Sequence, residues 1–178
     1  LPLPEMLRDD ATQSVVAALT AQGAEVRFVG GCVRDVMSGE TMGDVDIATP
    51  DLPEAVTDLV ESAGLKAVPT GLKHGTITVV ADGKPFEVTT LRIDVETDGR
   101  HAEVAFTDDW KADAARRDFT FNAMSLRPDG TFFDYFGGRD DLAAGRVRFV
   151  GDAQRRVAED YLRVLRYFRF LARFGSGE

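Results

Sequence analysis

Most of the structural information in this chain lies in VRFVGGCVRD, residues 26–35, and in DVDI, residues 44–47. The first stretch predicts an apolar strand, a turn at Gly30 and Gly31, and a short helix over residues 32–37. Free backbone N–H groups and the helix dipole both favour negative charge at a helix N-terminus. The order strand, glycine turn, helix therefore predicts an anion site.

The second stretch supplies paired carboxylates. In a strand over residues 44–47, Asp44 and Asp46 share one face, while Val45 and Ile47 face the core. Two carboxylates about 5 Å apart repel by roughly 3 kcal/mol at an effective dielectric near 20, so the pair needs a cation or another positive partner. Magnesium takes carboxylate oxygens together with substrate phosphates. Asp-x-Asp alone, like Gly-Gly alone, is more often a surface turn, and only their order favours a metal and phosphate site.

A third carboxylate comes from a predicted β-hairpin. Residues 76–80 and 86–92 read as strands separated by the turn residues 81–85. On the second strand Glu87 lies on the face opposite Phe86 and Val88. Glu87 is therefore the predicted partner of the Asp pair.

Composition limits the class of protein. The 178 residues are 44% hydrophobic, enough for one good core, and no apolar stretch is long enough to span a bilayer, so no membrane partner is expected. The single Cys32 excludes an internal disulfide and favours a reducing, cytoplasmic compartment. A net charge of −9 means that any nucleic-acid surface is local or lies elsewhere. Because the chain begins at Leu1 and ends just after an apolar helix, we interpret it as a piece of a longer protein.

The last predicted helix runs from the N-cap Asp152 to Phe174. Its predicted buried side consists of Val157, Tyr161, Val164, Leu165 and Phe168. Its charged residues at steps of three are Asp160, Arg163, Arg166 and Arg169, of which the last has turned nearly opposite the first. These residues form either an ordinary solvated face with ion pairs or a rigid set of groups that read the edge of a nucleobase.

Six motifs in order resemble one enzyme family. They are residues 30–35, 44–46, 87–92, 116–124, 134–142 and 159–166. With them the chain, from about Phe28 to Arg169, resembles the head and neck portion of the bacterial class II tRNA nucleotidyltransferases, the family of CCA-adding enzymes and poly(A) polymerases.

The resemblance implies an α+β fold. A polymerase β-like nucleotidyltransferase head, with a mixed or antiparallel sheet flanked by helices, would span residues 1–141. Residues 142–178 would begin an all-helical neck that selects the nucleobase. The body and tail of the family, which hold most of the RNA, would be absent from this chain, so we expect nucleotide binding with weak or absent CCA addition.

The resemblance also implies residue roles. Asp44 and Asp46 would hold Mg²⁺, with Glu87 as the third catalytic carboxylate. The residues implied in nucleotide binding are Gly30, Gly31, Arg34, Asp35, Arg117, Asp160, Arg163, Arg166 and Arg169. Among these, Asp160 and Arg163 would select CTP and then ATP, and the segment 94–103, expected to be a mobile loop, would assist the switch from C to A addition.

Three functions stay open at this point. The first is magnesium-dependent transfer of CMP and AMP from CTP and ATP to the 3′ end of tRNA. The second is poly(A) polymerase activity, or a partial CC- or A-adding activity, on tRNA or another RNA. The third is a non-catalytic nucleotide-binding module that retains the fold.

Overall fold

The computed structural model describes residues 3–95 and 103–176. The strands are β1 Arg27–Val29, β2 Asp46–Thr49, β3 Lys66–Gly71, β4 Thr76–Ala81, β5 Lys84–Thr90, β6 Arg92–Val95, β7 Glu103–Phe106, β8 Ser125–Leu126 and β9 Phe132–Phe133. The helices are α1 Glu5–Arg8, α2 Asp10–Thr20, α3 Gly31–Ser38, α4 Pro53–Ser62, α5 Trp110–Ala115, α6 Gly138–Ala143, α7 Ala153–Glu159 and α8 Leu162–Phe174, with 3₁₀ turns at Leu72–His74 and Thr120–Asn122. The predicted α+β class is confirmed.

The main sheet has seven strands in the order β3-β4-β5-β2-β1-β8-β9. Strands β2 and β5 are parallel, and every other neighbouring pair in this sheet is antiparallel. The sheet is therefore mixed, as predicted. The parallel pair lies at its centre and brings together two strands that are distant in sequence.

The predicted strand, glycine turn and helix are confirmed. Strand β1 is buried along its whole length, and α3 begins at Gly31, one residue earlier than predicted. Gly30 has φ +70° and ψ −130°, a conformation that residues with a side chain rarely adopt. A glycine is thus required at the point where the chain leaves the strand and enters the helix.

The Asp strand begins later than predicted. Strand β2 starts at Asp46, so Asp44 lies just before it rather than inside it. Val45 and Ile47 are buried in the core, as the alternation of side chains predicts. Asp46 is therefore the first residue of a central strand, and Asp44 lies two residues before it.

The predicted hairpin is β4 and β5. Its turn contains Asp82 with φ +49° and Gly83 with φ +74°, the backbone of a type I′ turn, which matches the twist of the strands. Phe86 and Val88 are buried, whereas Glu87 is exposed. The predicted orientation of Glu87, away from the core, is confirmed.

The segment expected to be a loop over residues 94–103 is only partly described. Strands β6 and β7 pair in an antiparallel arrangement, with Val95 opposite Glu103, so both ends of the segment belong to a two-stranded sheet. The expectation of a loop is wrong for these ends. Residues 96–102, including His101, lie outside the described residues.

The predicted single helix over Asp152–Phe174 is wrong. Asp152 caps α7 by accepting a hydrogen bond from the backbone N of Arg155 at 2.8 Å, as predicted, but the helix ends at Glu159. Asp160 is extended, with φ −156° and ψ 107°, and a second helix, α8, follows. The break changes which residues share a face.

The buried side predicted for this region is also wrong. Tyr161, Leu165 and Phe168 are 77%, 68% and 61% exposed. Instead, Phe170 packs into the same core as the sheet, with Tyr167 and Phe174 partly buried against it. Helix α8 thus carries two apolar stripes, and the second one docks on the sheet domain. No helix among residues 3–95 and 103–176 is long and apolar enough to cross a membrane.

Candidate active site

The glycine turn lies against a carboxylate and a guanidinium. A Cβ built on Gly30 would stand 3.3 Å from Nη1 of Arg117 and 3.5 Å from Oδ2 of Asp46. The first helical hydrogen bond of α3 runs from the N–H of Arg34 to the carbonyl of Gly30, at 3.2 Å. The preceding N–H groups at the start of this helix have no helical partner and favour an anion.

The carboxylates meet across the parallel strand pair. Asp46 is in register with Glu87, so their side chains project from neighbouring strands on the same face of the sheet. Burial, repulsion from Glu87 and, more weakly, repulsion from Asp44 raise the pKa of Asp46 from 3.8 to about 6, against the attraction of Arg117. The pKa of Asp46 is thus raised by the negative charges of both other members of the predicted set, Glu87 and Asp44.

The donor set fits magnesium. No three His, Cys, Asp or Glu side chains are gathered into a ready-made metal cage within the described ranges. Magnesium does not need one, because it usually keeps several waters and is bound through one or two carboxylates plus substrate phosphates. A partly buried carboxylate with a raised pKa, facing a second carboxylate, is the chemistry that a divalent cation stabilises.

Arg117 is held by a residue that the sequence analysis missed. Asp113, on α5 and 4% exposed, accepts a hydrogen bond from Nη2 of Arg117 at 3.3 Å, and from Nε and Nη2 of Arg116 at 3.0 and 2.9 Å. It also accepts the backbone N–H of Arg92 at 3.0 Å. Burial by itself would raise the pKa of Asp113, but Arg117 and Arg116 outweigh it and hold that pKa below its usual value. Its spacing of three and four residues from the two arginines was the available signal.

Arg34 is already engaged within the protein. Its Nε and Nη2 donate to Oδ1 of Asp35 at 2.9 and 2.7 Å, and its Nη1 donates to Oδ1 of Asn122 at 2.9 Å. Both members of this ion pair are buried. A Cβ built on Gly31 would lie 3.5 Å from Nη2 of Arg34, which places the guanidinium beside the glycine turn.

The predicted base-reading residues do not share one helix face. Asp160 lies in the break between the helices, where its Oδ1 accepts the N–H of Leu162 at 2.9 Å. Arg163 donates to Oε2 of Glu159 at 2.6 Å and to the carbonyl of Arg156 at 2.8 Å. These contacts tie the start of α8 back to α7.

The other two arginines of this set differ in their surroundings. Arg166 donates to Oδ2 of Asp118 at 2.6 Å and is half-buried. Arg169 is exposed, with its guanidinium carbon 5.1 Å from the ring centre of Phe170. Arg163, through the carbonyl of Arg116 at 3.5 Å, and Arg166, through Asp118, therefore contact the part of the chain before the two C-terminal helices, whereas Arg169 lies on the surface.

These features define an α+β domain whose mixed sheet presents paired carboxylates beside a glycine turn and a helix N-terminus, an arrangement suited to a phosphate-bearing substrate. Residues 26–148 match the family described as "Poly A polymerase head domain". The chain belongs to this family.

Relatives and a solved structure agree with this assignment. The chain is 49% identical over 170 residues to human "CCA tRNA nucleotidyltransferase 1, mitochondrial", and 42% identical over 175 residues to the "CCA-adding enzyme" of Leuconostoc mesenteroides. These alignments cover 95% and 97% of this chain, but 39% and 42% of the relatives. The Bacillus stearothermophilus CCA-adding enzyme in complex with CTP superposes with a TM-score of 0.84 at 39% identity, covering 95% of this chain and 40% of that one.

Proposed function

We propose that this chain is the catalytic portion of a magnesium-dependent nucleotidyltransferase that adds CMP and AMP from CTP and ATP to the 3′ end of tRNA. The observation that carries the proposal is the register of Asp46 and Glu87 on the parallel strands β2 and β5, directly beside Gly30. The names of the relatives favour CCA addition over poly(A) synthesis. The chain spans about two-fifths of those relatives, so the activity is proposed for the whole protein.

Asp44 and Asp46 would hold the metal, with Glu87 as the third carboxylate. When bound, Mg²⁺ lowers the pKa of a coordinated hydroxyl and offsets negative charge on a phosphate. The chain's own contribution is rigidity: Asp46 is fixed at the first position of a central strand, and its neighbour Val45 is buried. Asp46 and Glu87, in register on adjacent strands, would present their carboxylates to a cation from a fixed backbone.

The glycine turn and two arginines would hold the triphosphate. Gly30 and Gly31 would let the backbone approach a phosphate closely, and the N–H groups of the first turn of α3, which lack helical partners, would donate to it. Arg117, oriented by Asp113, lies at this turn and would contact the phosphates or the sugar. Asp35 and Asn122 hold the Arg34 guanidinium in place by accepting hydrogen bonds from it. After these bonds, Nη1 and Nη2 each retain one N–H that can donate to a phosphate.

Base selection is assigned to the junction of the two C-terminal helices. Asp160 can accept from an exocyclic amine and Arg163 can donate to a ring nitrogen or carbonyl. Arg166 and Arg169 would complete the pocket, although Arg169 is exposed on α8. The division into a catalytic head over residues 1–141 and the start of a neck over 142–178 is part of the proposal, as is a cytoplasmic location.

The test is nucleotide binding and incorporation. CTP and ATP are titrated into the chain with and without Mg²⁺, and each nucleotide alone is then offered to the full-length protein together with tRNA that ends before the first, second or third position of CCA. We expect magnesium-dependent binding of both nucleotides, with CMP added at the first two positions and AMP at the third. Addition of long A tracts would instead assign poly(A) polymerase activity.

Matched variants separate catalysis from binding. Asp46→Asn and Glu87→Gln are expected to abolish incorporation, whereas Asp58→Asn, which alters an exposed carboxylate on α4, should leave it unchanged. Full incorporation by Asp46→Asn would overturn the assignment of the metal site. If the unaltered full-length protein binds CTP but incorporates no nucleotide, the non-catalytic module is favoured instead.

A further inference from the structure

A chain of buried polar side chains connects α3 to α8. Nη1 of Arg34 donates to Oδ1 of Asn122 at 2.9 Å, and Nδ2 of Asn122 donates to Oδ1 of Asp118 at 3.0 Å. Oδ2 of Asp118 in turn accepts from Nε of Arg166 at 2.6 Å. We call these four residues the relay. It joins a guanidinium beside the glycine turn to a guanidinium on α8.

The relay is mostly shielded from water. Arg34, Asn122 and Asp118 are 7%, 6% and 9% exposed, and only Arg166 is open to solvent. Hydrogen bonds in such surroundings are strong, and a buried partner that loses its bond cannot readily replace it with water. A displacement at one end of the relay is therefore costly to absorb within it.

Asn122 is the chemically demanding member. It accepts from a cation with its carbonyl oxygen and donates to an anion with its amide nitrogen. A carboxylate lacks the donor, and an aliphatic side chain lacks both groups. Asn122 is the last residue of the 3₁₀ turn Thr120–Asn122, and it is buried together with its neighbours Phe119 and Phe121.

The two ends of the relay serve different parts of the proposed nucleotide site. Arg34 lies against Gly31, where the triphosphate would bind, and Arg166 lies on α8, one turn after Arg163 of the proposed base-reading group. We infer that Asn122 is a positioning residue that couples occupancy of the base end to the affinity of the phosphate end. This inference rests on the proposed function and adds a residue and a coupling to it.

A second connection between the same helices is weaker. Nη2 of Arg173, on α8, lies 3.6 Å from Oδ1 of Asp35, and the Arg173 side chain is 43% exposed. This distance exceeds that of a hydrogen bond, and an exposed pair is screened by solvent. The guanidinium carbons of Arg34 and Arg166 also lie 5.1 and 5.5 Å from the ring centre of Phe170, a contact that Asn122→Ala leaves in place, so only a loss of coupling in that variant assigns the coupling to the path through Asn122.

The test is a double-mutant cycle read out with inorganic tripolyphosphate, a ligand that has no base and no sugar. Its dissociation constant is measured by calorimetry with Mg²⁺ for the parent, Arg166→Gln, Asn122→Ala and the double variant. If the relay couples its two ends, the Arg166→Gln change weakens tripolyphosphate binding about 5-fold in the parent. In the Asn122→Ala background the same change has less than about a twofold effect. The cycle cancels the loss of one positive charge, which is common to both backgrounds.

A matched background controls for general loosening of the core. Thr120→Val removes a buried 2.6 Å hydrogen bond to Oδ2 of Asp141 from the same 3₁₀ turn, outside the relay. In that background Arg166→Gln should still weaken binding about 5-fold. Asn122→Leu, which fills a similar volume, repeats the cycle if the alanine variant fails to fold.

The outcomes are distinguishable. Equal factors for Arg166→Gln in all backgrounds overturn the coupling and leave the proposed function standing, provided that CTP binds to the parent. CTP binding without measurable tripolyphosphate binding also overturns the coupling, because the phosphate end then has no measurable affinity that the base end could change. Failure of both ligands to bind the parent overturns the proposed function itself.

Discussion

Replacing Asp46 by asparagine should stabilise the metal-free protein while destroying the metal site. Asp46 is partly buried, faces Glu87 across the β2–β5 pair and has a pKa raised from 3.8 to about 6. In the unfolded chain its carboxyl titrates near its ordinary value of about 3.9. The folded state therefore binds the proton more tightly than the unfolded state does, which is the reverse of a carboxylate held in an ion pair.

The sign and size of the effect follow from this difference. At about pH 4 and below, the carboxyl is mostly protonated in the native state and the cost of its charge is largely absent. As the pH rises from about 4 to 6, the unfolded state loses its proton first, so the free energy of unfolding falls. A shift of about two pH units corresponds to about 3 kcal/mol, and this cost is constant above pH 6. Asp46→Asn, which carries no charge, removes the cost.

The assay is urea denaturation in EDTA at pH 4 and pH 7.5. At pH 7.5 we expect Asp46→Asn to be more stable than the parent by up to about 3 kcal/mol, and at pH 4 the two should be nearly equal. Millimolar Mg²⁺ should stabilise the parent in proportion to its saturation but leave Asp46→Asn unaffected. The exposed control Asp58→Asn should change stability by less than about 0.5 kcal/mol at both pH values. The reasoning fails if Asp46→Asn is the less stable protein at pH 7.5, or if its effect is independent of pH.

Three further variants test the surrounding scaffold. Gly30→Ala forces a side chain into φ +70°, 3.3 Å from Nη1 of Arg117, so it should cost about 1–3 kcal/mol and weaken CTP binding in a calorimetric titration. Gly138→Ala places a Cβ 2.2 Å from a backbone carbonyl oxygen, and thermal unfolding should show a loss of about 3 kcal/mol or more. Gly43→Ala, where a Cβ meets open space, is the control for both and should be near neutral. Asp113→Asn removes the buried charge that holds two arginines, so urea denaturation should show a loss of about 3–5 kcal/mol, whereas an unchanged midpoint would refute the role of this carboxylate as an anchor.

Local patterns predicted the centre of the molecule well. The strand before Gly30, the turn, helix α3 and the β4–β5 hairpin depend on glycines and on alternating side chains, which act over a few residues. The direction of Glu87 followed from the same alternation. The pairing of β2 with β5 joins segments that are distant in sequence. Only the expectation that Glu87 joins the Asp pair at one metal site indicated that these strands are neighbours.

The C-terminal region was harder because two signals competed. The apolar spacing through Tyr161, Leu165 and Phe168 is regular, but the stripe of Tyr167, Phe170 and Phe174 is equally regular and is the one that packs on the head. A sequence does not reveal which of two stripes finds a partner. The break at residue 160 was hidden in the same way, because an aspartate suits both a solvated helix face and the start of a new helix.

Arg34 shows a further limit of sequence reasoning. Its pairing with Asp35 was visible as an adjacent pair of opposite charges, but its burial depends on Asn122, which is 88 residues away. Long-range hydrogen bonds of this kind leave no periodic trace in the sequence. They are found only when the fold places the partners together.

Strand β5 is bordered on both sides, by β4 through the tight hairpin and by β2 through the parallel pairing. Adding or deleting one residue in the turn at Asp82 and Gly83 would shift the pairing register of β5 by one residue. Glu87 would then point into the interior, and Phe86 and Val88 would point to solvent. The length of this hairpin turn is thus a condition for the proposed chemistry, because it decides whether Glu87 lies on the same face as Asp46 or in the core.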